Sequence, residues 1–554
     1  MKFFLFAALL AAIFCATLKA QELSPADQAA ADTAMKVIRP EAIAAHMRFL
    51  SDDLIEGRQT GAGGHEIAAR YVATELESMG LAPAGVNRTW FQLVPLRKVD
   101  LVPEQSSFEL VRDGKGQTLA FAEDYIMGGN ALETDATVDA GVAFIGFGVT
   151  APESQYDDYA GVDVHGKVVV ILRGAPPRFP STERAYFSDS VVKARNAAAH
   201  GDVGIIAIQP PEFFERYKWS WIVPQIRAGS MWWLDPKGVP ADTVPEIRAY
   251  ALMNESGAQD LFAGAPKTLS AIFAASRESK SASFSLPVKV KIHRVSRYTP
   301  VESRNVSAKL AGSDPTMAQE YVVFTAHVDH LGICRPSEED SVCHGAWDNA
   351  SGTSAVLEVA RAFSSLPRRP RRSILFVFVT GEEKGLLGSD CFAHFPTVPI
   401  ENIVADVNID GAPGLLWPNK DLVPLGAEHS SLSKDVEAAA RNMGYTISPD
   451  PMPEEVIFIR SDQYSFVKQG VPAVFKSAGM QSADPKVDGS AVFHKWISSI
   501  YHTPKDDMSQ QFYFDSAARS AGLFFLVGLE VAQQAERPTW NEGDFFGAKL
   551  AQKH

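Results

Sequence analysis

Cysteine is scarce in this chain. Four occur in 554 residues, too few for a disulfide-built scaffold and without the close spacing of a thiolate zinc site. After the first twenty residues no apolar run is long enough for a bilayer-spanning helix. Basic residues are also in deficit, 52 Lys and Arg against 66 Asp and Glu, which argues against a nucleic-acid partner. What is present is 46% hydrophobic and 21% charged, the composition of a globular chain able to bury large cores. Its length predicts more than one domain.

The first twenty residues differ from the rest. Lys2, an apolar stretch over residues 3–18 and the small Ala20 read as a secretory signal peptide, residues 1–20, cut after Ala20. The alternative is a retained membrane anchor. A lipid-modified Cys15 is disfavoured because Phe14 is too large for the position before it. Removal of the segment takes away Lys2 and Lys19, so the net charge moves from −14 to −16. Export to the periplasm or medium makes an oxidising setting, in which Cys334 and Cys343, bracketing one short loop, are expected to pair. Cys391 reads as a buried free thiol.

Residues 24–82 read as helical. In HEIAARYVATELESMGL, residues Ile67, Tyr71, Leu76 and Met79 recur near helical spacing and predict a core-facing stripe. The preceding TGAGG lacks the strand that a phosphate loop needs, and reads as the start of this helix. Residues 89–97 predict a strand. From about 126 the texture changes to short strands and turns, as in VAFIGFGVT, GKVVVILRG, VGIIAIQ and LPVKVKIHR, with one helix at SVVKARNAAAHG. This predicts a β-rich module with its own core, within which Trp219, Trp221, Trp232 and Trp233 read as core or interface.

From about residue 300, strand and helix alternate, the pattern of an α/β, doubly wound sheet. Strands are expected at 320–326, 373–380, 402–409 and 471–476, with a helix at SGTSAVLEVARAF and a closing helix near 514–534. Val356, Val359, Ala360 and Phe363 mark the buried face of the first helix. The one basic cluster, Arg368-Arg369-Pro370-Arg371-Arg372, falls between a helix and a strand and reads as a solvated connection.

Chemistry-bearing residues collect where these strands end. VVFTAHVDH supplies His327 and Asp329, GAWDNASG supplies Asp348, FVTGEE supplies Glu382 and Glu383, and VNID supplies Asp410. The later IYHTPKDD supplies Tyr501 and His502. Sites in open α/β sheets form beyond the carboxyl ends of the strands, where all of these but the last two fall. Taken singly, each has a bland reading: a hydrogen-bonded histidine, a helix-capping aspartate, a solvated acidic turn. Their joint placement at one sheet edge points to a metal centre. Mixed imidazole and carboxylate donors suit zinc. Two histidines and three carboxylates exceed the three protein ligands of one open catalytic zinc, and fit two ions if one carboxylate bridges. Of the adjacent glutamates, one would then ligate while its neighbour handles the proton of a water whose pKa zinc lowers towards roughly 7.

The motifs AHVDHLG, WDNASG, GEEKGLLGS, NID and YHTP occur in the order and at the spacings that make the chain resemble the di-zinc aminopeptidase and glutamate carboxypeptidase-like metallopeptidases, of the bacterial leucyl aminopeptidase type. The resemblance implies a doubly wound mixed sheet of the zinc aminopeptidase type with an inserted protease-associated domain. It implies a signal peptide (1–20), an N-terminal part of the peptidase domain (21–125), the insert (126–295), the catalytic zinc peptidase domain (296–535) and a C-terminal tail (536–554). It implies two zinc ions: His327 and Asp410 on one, Glu383 and His502 on the other, Asp348 bridging. Glu382 would be the general base, Asp329 would orient His327, and Tyr501 would hydrogen-bond the developing oxyanion. The activity implied is exported aminopeptidase action on peptides with a free N-terminus, by attack of a hydroxide held between the zincs.

A carboxypeptidase or dipeptidase using the same site is the nearest alternative. A glutaminyl-cyclase-like transferase would resemble a one-zinc site, and a non-catalytic binding protein built on the insert would be expected to have lost ligands. Trp347, beside the bridging aspartate where many relatives carry a small or polar residue, would place a large ring near the metals. Glu338, Glu339 and Asp340 lie in the Cys334–Cys343 loop, either solvated or attracting a substrate amine.

Overall fold

The computed structural model describes residues 23–280, 283–334 and 340–551. The expected signal peptide lies outside the described residues, as do Glu338 and Glu339. Among the described residues no helix is long and apolar enough to cross a membrane.

Two sheets share one long strand. Phe284–Leu310 pairs over its first half with Ser107–Arg112 and Asp135–Phe144, and over its second half with Phe91–Leu101 and Ser373–Val379. The LPVKVKI stretch alternates strictly: Leu286, Val288, Val290 and Ile292 are buried while Lys289 and Lys291 face water, the two-residue period of a half-buried strand. That first half belongs to a sheet running Lys115–Thr118, Ser107–Arg112, the long strand, Asp135–Phe144, Val168–Leu172, Gly204–Ile208 and Ala249–Met253. Phe108, Phe144, Val170, Ile206 and Val290 share its core. The hairpin over 107–118 thus joins this sheet although it precedes residue 126.

The second half enters a mixed sheet. Beyond the long strand come Ser373–Val379, Tyr321–His327, Ile403–Asn408 and Ala473–Ala478, the last four mutually parallel, and then antiparallel Asp421–Leu425. Parallel strands are covered on both faces and so read as continuous apolar runs. In SILFVFV, Ile374, Phe376 and Phe378 enter one core with the helices Pro40–Leu50, Gly352–Ser365 and Phe514–Gln533, while Leu375, Val377 and Val379 enter the other. The long C-terminal helix lies so close to the sheet that a Cβ at Gly528 would stand 2.3 Å from the Phe324 ring. The expected strands, both helices and the α/β class all appear.

Two expectations are corrected. On helix Gly63–Ser78, Ile67 is 46% exposed, and the buried face is Gly64, His65, Ala68, Ala69, Val72 and Leu76. The small residues permit close approach, so a face of low hydrophobicity is the one that packs. The arginine cluster is only partly solvated. Arg371 forks onto Asp314 at 3.0 and 2.8 Å. Arg372 is 1% exposed, pairs with Glu320 at 2.6 Å and donates to the carbonyls of Val531 and Gln534 at the end of the long helix. A cation there satisfies the unpaired carbonyls and complements the helix dipole. Arg372→Ala should therefore cost about 2–3 kcal/mol, read as a lowered midpoint in urea with activity retained below it.

Candidate metal centre

The parallel strands deliver the site. His327 ends Tyr321–His327, Glu382 and Glu383 follow Ser373–Val379 through Thr380 and Gly381, and Asp410 follows Ile403–Asn408. Asp348 precedes the helix Gly352–Ser365, on a stretch stitched by Asn349, whose side-chain oxygen accepts from Gly352 and Gly411 at 2.8 and 2.9 Å. The Asn349 amide also donates to the Ile409 carbonyl at 3.0 Å. One asparagine thus locks the Asp348 and Asp410 segments together. His502, at φ 57°, arrives on the turn after helix Gly489–Ser499.

Asp348 stands at the centre. Its Oδ1 is 3.3 Å from His327 Nε2, and its Oδ2 is 3.0 Å from His502 Nε2. Asp410 Oδ1 lies 3.3 Å from His327 Nε2, and Glu383 Oε2 lies 3.2 Å from His502 Nε2. Donor atoms fall into two groups whose members lie within 4.8 Å of one another: His327, Glu382 and Asp410, and His330, Asp348 and Glu383. All five expected ligands converge, and Glu382 lies on the His327 side.

The electrostatics are lopsided. Four carboxylates, Asp348, Glu382, Glu383 and Asp410, face the imidazoles of His327, His330 and His502. Burial raises the Glu382 carboxyl well above its usual range; His327 opposes this and Asp410 and Glu383 add to it. Burial also acts to raise Glu383, but His502 and His330 together hold it well below. His327 and His502 are desolvated, yet the surrounding acids keep both raised, His502 to about 10. Like charges packed in a dry site are expensive unless cations pair with them. Paired, mixed imidazole and carboxylate sets with a carboxylate facing both fit two zinc ions: His327, Asp410 and Asp348 would hold one, His502, Glu383 and Asp348 the other.

Asp329 is fully buried and accepts from Thr60 Oγ1 at 2.8 Å and from the Glu382 amide at 3.2 Å. Its carboxylate is 3.9 Å from His327 Nδ1, whereas its carbonyl oxygen is nearer, at 3.2 Å. Tyr501 stacks on His502, ring centroids 3.7 Å apart, with Trp347 edge-on at 6.4 Å. The Trp347 ring does lie beside the site. It rests over Gly411, where a Cβ would stand 2.3 Å from it and where φ is +67°.

Several contributors went unread in the sequence. His330, fully buried, holds Glu383 Oε1 at 2.6 Å through Nδ1; its place in AHVDH, one residue past Asp329, was the available signal. Asp506, in the same KDD stretch that follows His502, accepts from the Trp347 and Asp348 amides at 2.8 and 3.1 Å. Ser461 donates to Asp410 Oδ2 at 2.8 Å. Arg58, which donates to the Val328 and Gly345 carbonyls at 2.9 and 3.0 Å, has no local sequence signal. The Cys334–Cys343 disulfide is present, Cys391 is a buried free thiol, and Asp340 lies 3.3 Å from His344.

The fold and this donor arrangement define an α/β chain with a candidate two-metal centre of imidazole and carboxylate ligands. Residues 305–523 match Peptidase family M28. It is 35% identical over 128 residues to the aminopeptidase NAALADL1 of Mus musculus, 22% of this chain and 15% of that protein. It is 33% identical over 111 residues to a probable zinc metalloprotease of Pyrenophora teres f. teres, 20% and 23% of the two chains. The matched stretch therefore spans less than a quarter of either relative. An aminopeptidase from Aneurinibacillus sp. strain AM-1 has a similar fold, at 19% identity and a TM-score of 0.50, covering 92% of this chain and 97% of that one.

Proposed function

We propose that this protein is an exported, two-zinc aminopeptidase that removes N-terminal residues from peptides. One observation carries the reading: the two oxygens of Asp348 face His327 and His502 separately, at 3.3 and 3.0 Å, with Asp410 and Glu383 completing the two sides. Zinc, when bound, acidifies a water and polarises a carbonyl.

The chain's own residues do the rest. Glu382, whose buried carboxyl has a raised proton affinity, takes a proton from the attacking water and returns it to the departing amine. Asp329 positions it by accepting from its backbone amide. Tyr501, held against His502, donates to the oxyanion as it develops. The disulfide is consistent with export through residues 1–20. Residues 126–295 are read as a protease-associated insert, and Tyr217 within them hydrogen-bonds Glu455 of the peptidase part at 2.6 Å.

Zinc analysis of the mature protein, together with hydrolysis of free and N-acetylated peptides, tests this. Two zinc ions per chain and cleavage of the free-amine peptides alone are expected. One ion per chain, or equal cleavage of blocked peptides, would overturn it.

A further inference from the structure

Two arginines lie outside the metal centre, one on a loop that supports it and one on the β-rich module. Arg460 directly precedes Ser461, the residue that donates to Asp410, and its side chain is 42% exposed. It pairs loosely with Glu455, at 3.7 Å, and is the cation that offsets the acids around Tyr501. From the β-rich module, Tyr217 hydrogen-bonds the same Glu455 and packs tilted against Phe213, ring centroids 4.7 Å apart. Arg173, at the end of strand Val168–Leu172, lies over that Phe213 ring at 4.6 Å.

The chain of contacts thus runs from Arg173 through Phe213, Tyr217 and Glu455 to Arg460. It joins the β-rich module to the loop that supports a metal-facing aspartate. Arg173 is exposed to water, and among the described residues no carboxylate pairs with it. Desolvation by the surrounding protein, and to a lesser extent the nearby Arg460, disfavour the charged form of Arg173, and the ion pair of Glu455 is with Arg460. Two neighbouring guanidiniums with one carboxylate for the pair keep further N–H donors, which is what binds a second carboxylate in a forked geometry.

Resting on the aminopeptidase reading, we propose that Arg460 and Arg173 form a carboxylate-binding subsite that selects peptides carrying an anion on the leaving side of the scissile bond. That carboxylate is either the C-terminus of a short peptide or an acidic side chain in second position. The β-rich module therefore contributes to specificity.

The test compares kcat/KM of the zinc-loaded protein on leucyl-leucine, leucyl-leucinamide and leucyl-glutamic acid α-amide, whose side-chain carboxylate is free. At least one carboxylate-bearing substrate should exceed leucyl-leucinamide by roughly tenfold, mostly through KM, the scale of a charge-assisted hydrogen bond. Preference for leucyl-leucine assigns the C-terminus, preference for the glutamic acid α-amide the side chain; either supports the subsite. In Arg173→Gln and Arg460→Gln that ratio should fall about fivefold or more. Arg173 is exposed, so its variant keeps the test usable if the Arg460 one does not fold. Equal values for the three substrates, or an unchanged ratio in Arg173→Gln, would overturn the subsite while leaving the aminopeptidase reading standing. Cleavage of N-acetylated peptides in place of free ones would overturn that underlying reading instead.

Discussion

Glu382→Gln should bind its full zinc complement and lose about 10²–10⁴-fold in kcat, the worth of a positioned proton carrier. The substitution is nearly isosteric, and the backbone amide of residue 382 still donates to Asp329. What changes is the site's ability to accept a proton. Burial pushes that carboxyl up, with Asp410 and Glu383 adding to the push, so it is poised to take a proton. Its neighbour is biased the opposite way, because His502 and His330 hold Glu383 ionised. Adjacent acids of opposed proton affinity have different tasks. Glu383→Gln should accordingly fail differently, with zinc occupancy falling. The check is metal analysis beside single-turnover kinetics on both variants. Near-normal turnover by Glu382→Gln would remove it from the reaction, and full zinc in Glu383→Gln would remove that residue from the metal set.

The legible part of the site was the part delivered by parallel strands. A continuous apolar run such as FVFV predicts a covered strand, and a parallel sheet places all such strand ends at one edge, so His327, Glu382, Glu383 and Asp410 could be gathered before any coordinates. His502 needed motif order as well, since it lies on a late turn away from any strand end. The supporting residues were less visible. Asp506 works through backbone amides of a segment some 158 positions away, and Arg58 through carbonyls up to 287 positions away. Bonds to backbone carry no complementary residue type for a reader to find. Of the stripe expected on the helix Gly63–Ser78, Leu76, Tyr71 and Met79 do meet the core and Ile67 alone departs, for a related reason. Periodicity locates apolar side chains, but packing there is governed by small residues that let the helix approach, and Ile67 faces water instead.

Arg58→Met should be the most destabilising single change outside the metal ligands, at about 3–5 kcal/mol. The side chain is 1% exposed and holds together pieces distant in sequence. Its guanidinium donates to the carbonyls of Leu50 on the N-terminal helices, Val328 beside His327, and His344 and Gly345 ahead of Asp348. Removing it leaves those carbonyls turned into a dry space with no donor, and methionine fills volume without replacing any of the bonds. A second consequence concerns charge. Burial lowers Arg58 to about 10, while Asp348, Asp506, Asp329 and Glu383 favour its charged form, so it compensates the acids from beneath. Bound cations would take over that task. The deficit of the variant should therefore be larger in metal-free protein than in zinc-loaded protein, and zinc should bind the variant's folded state more favourably by the same difference. Urea denaturation with and without zinc measures both quantities. Equal deficits would mean that Arg58 ties the backbone together and takes no part in balancing the charge of the metal centre.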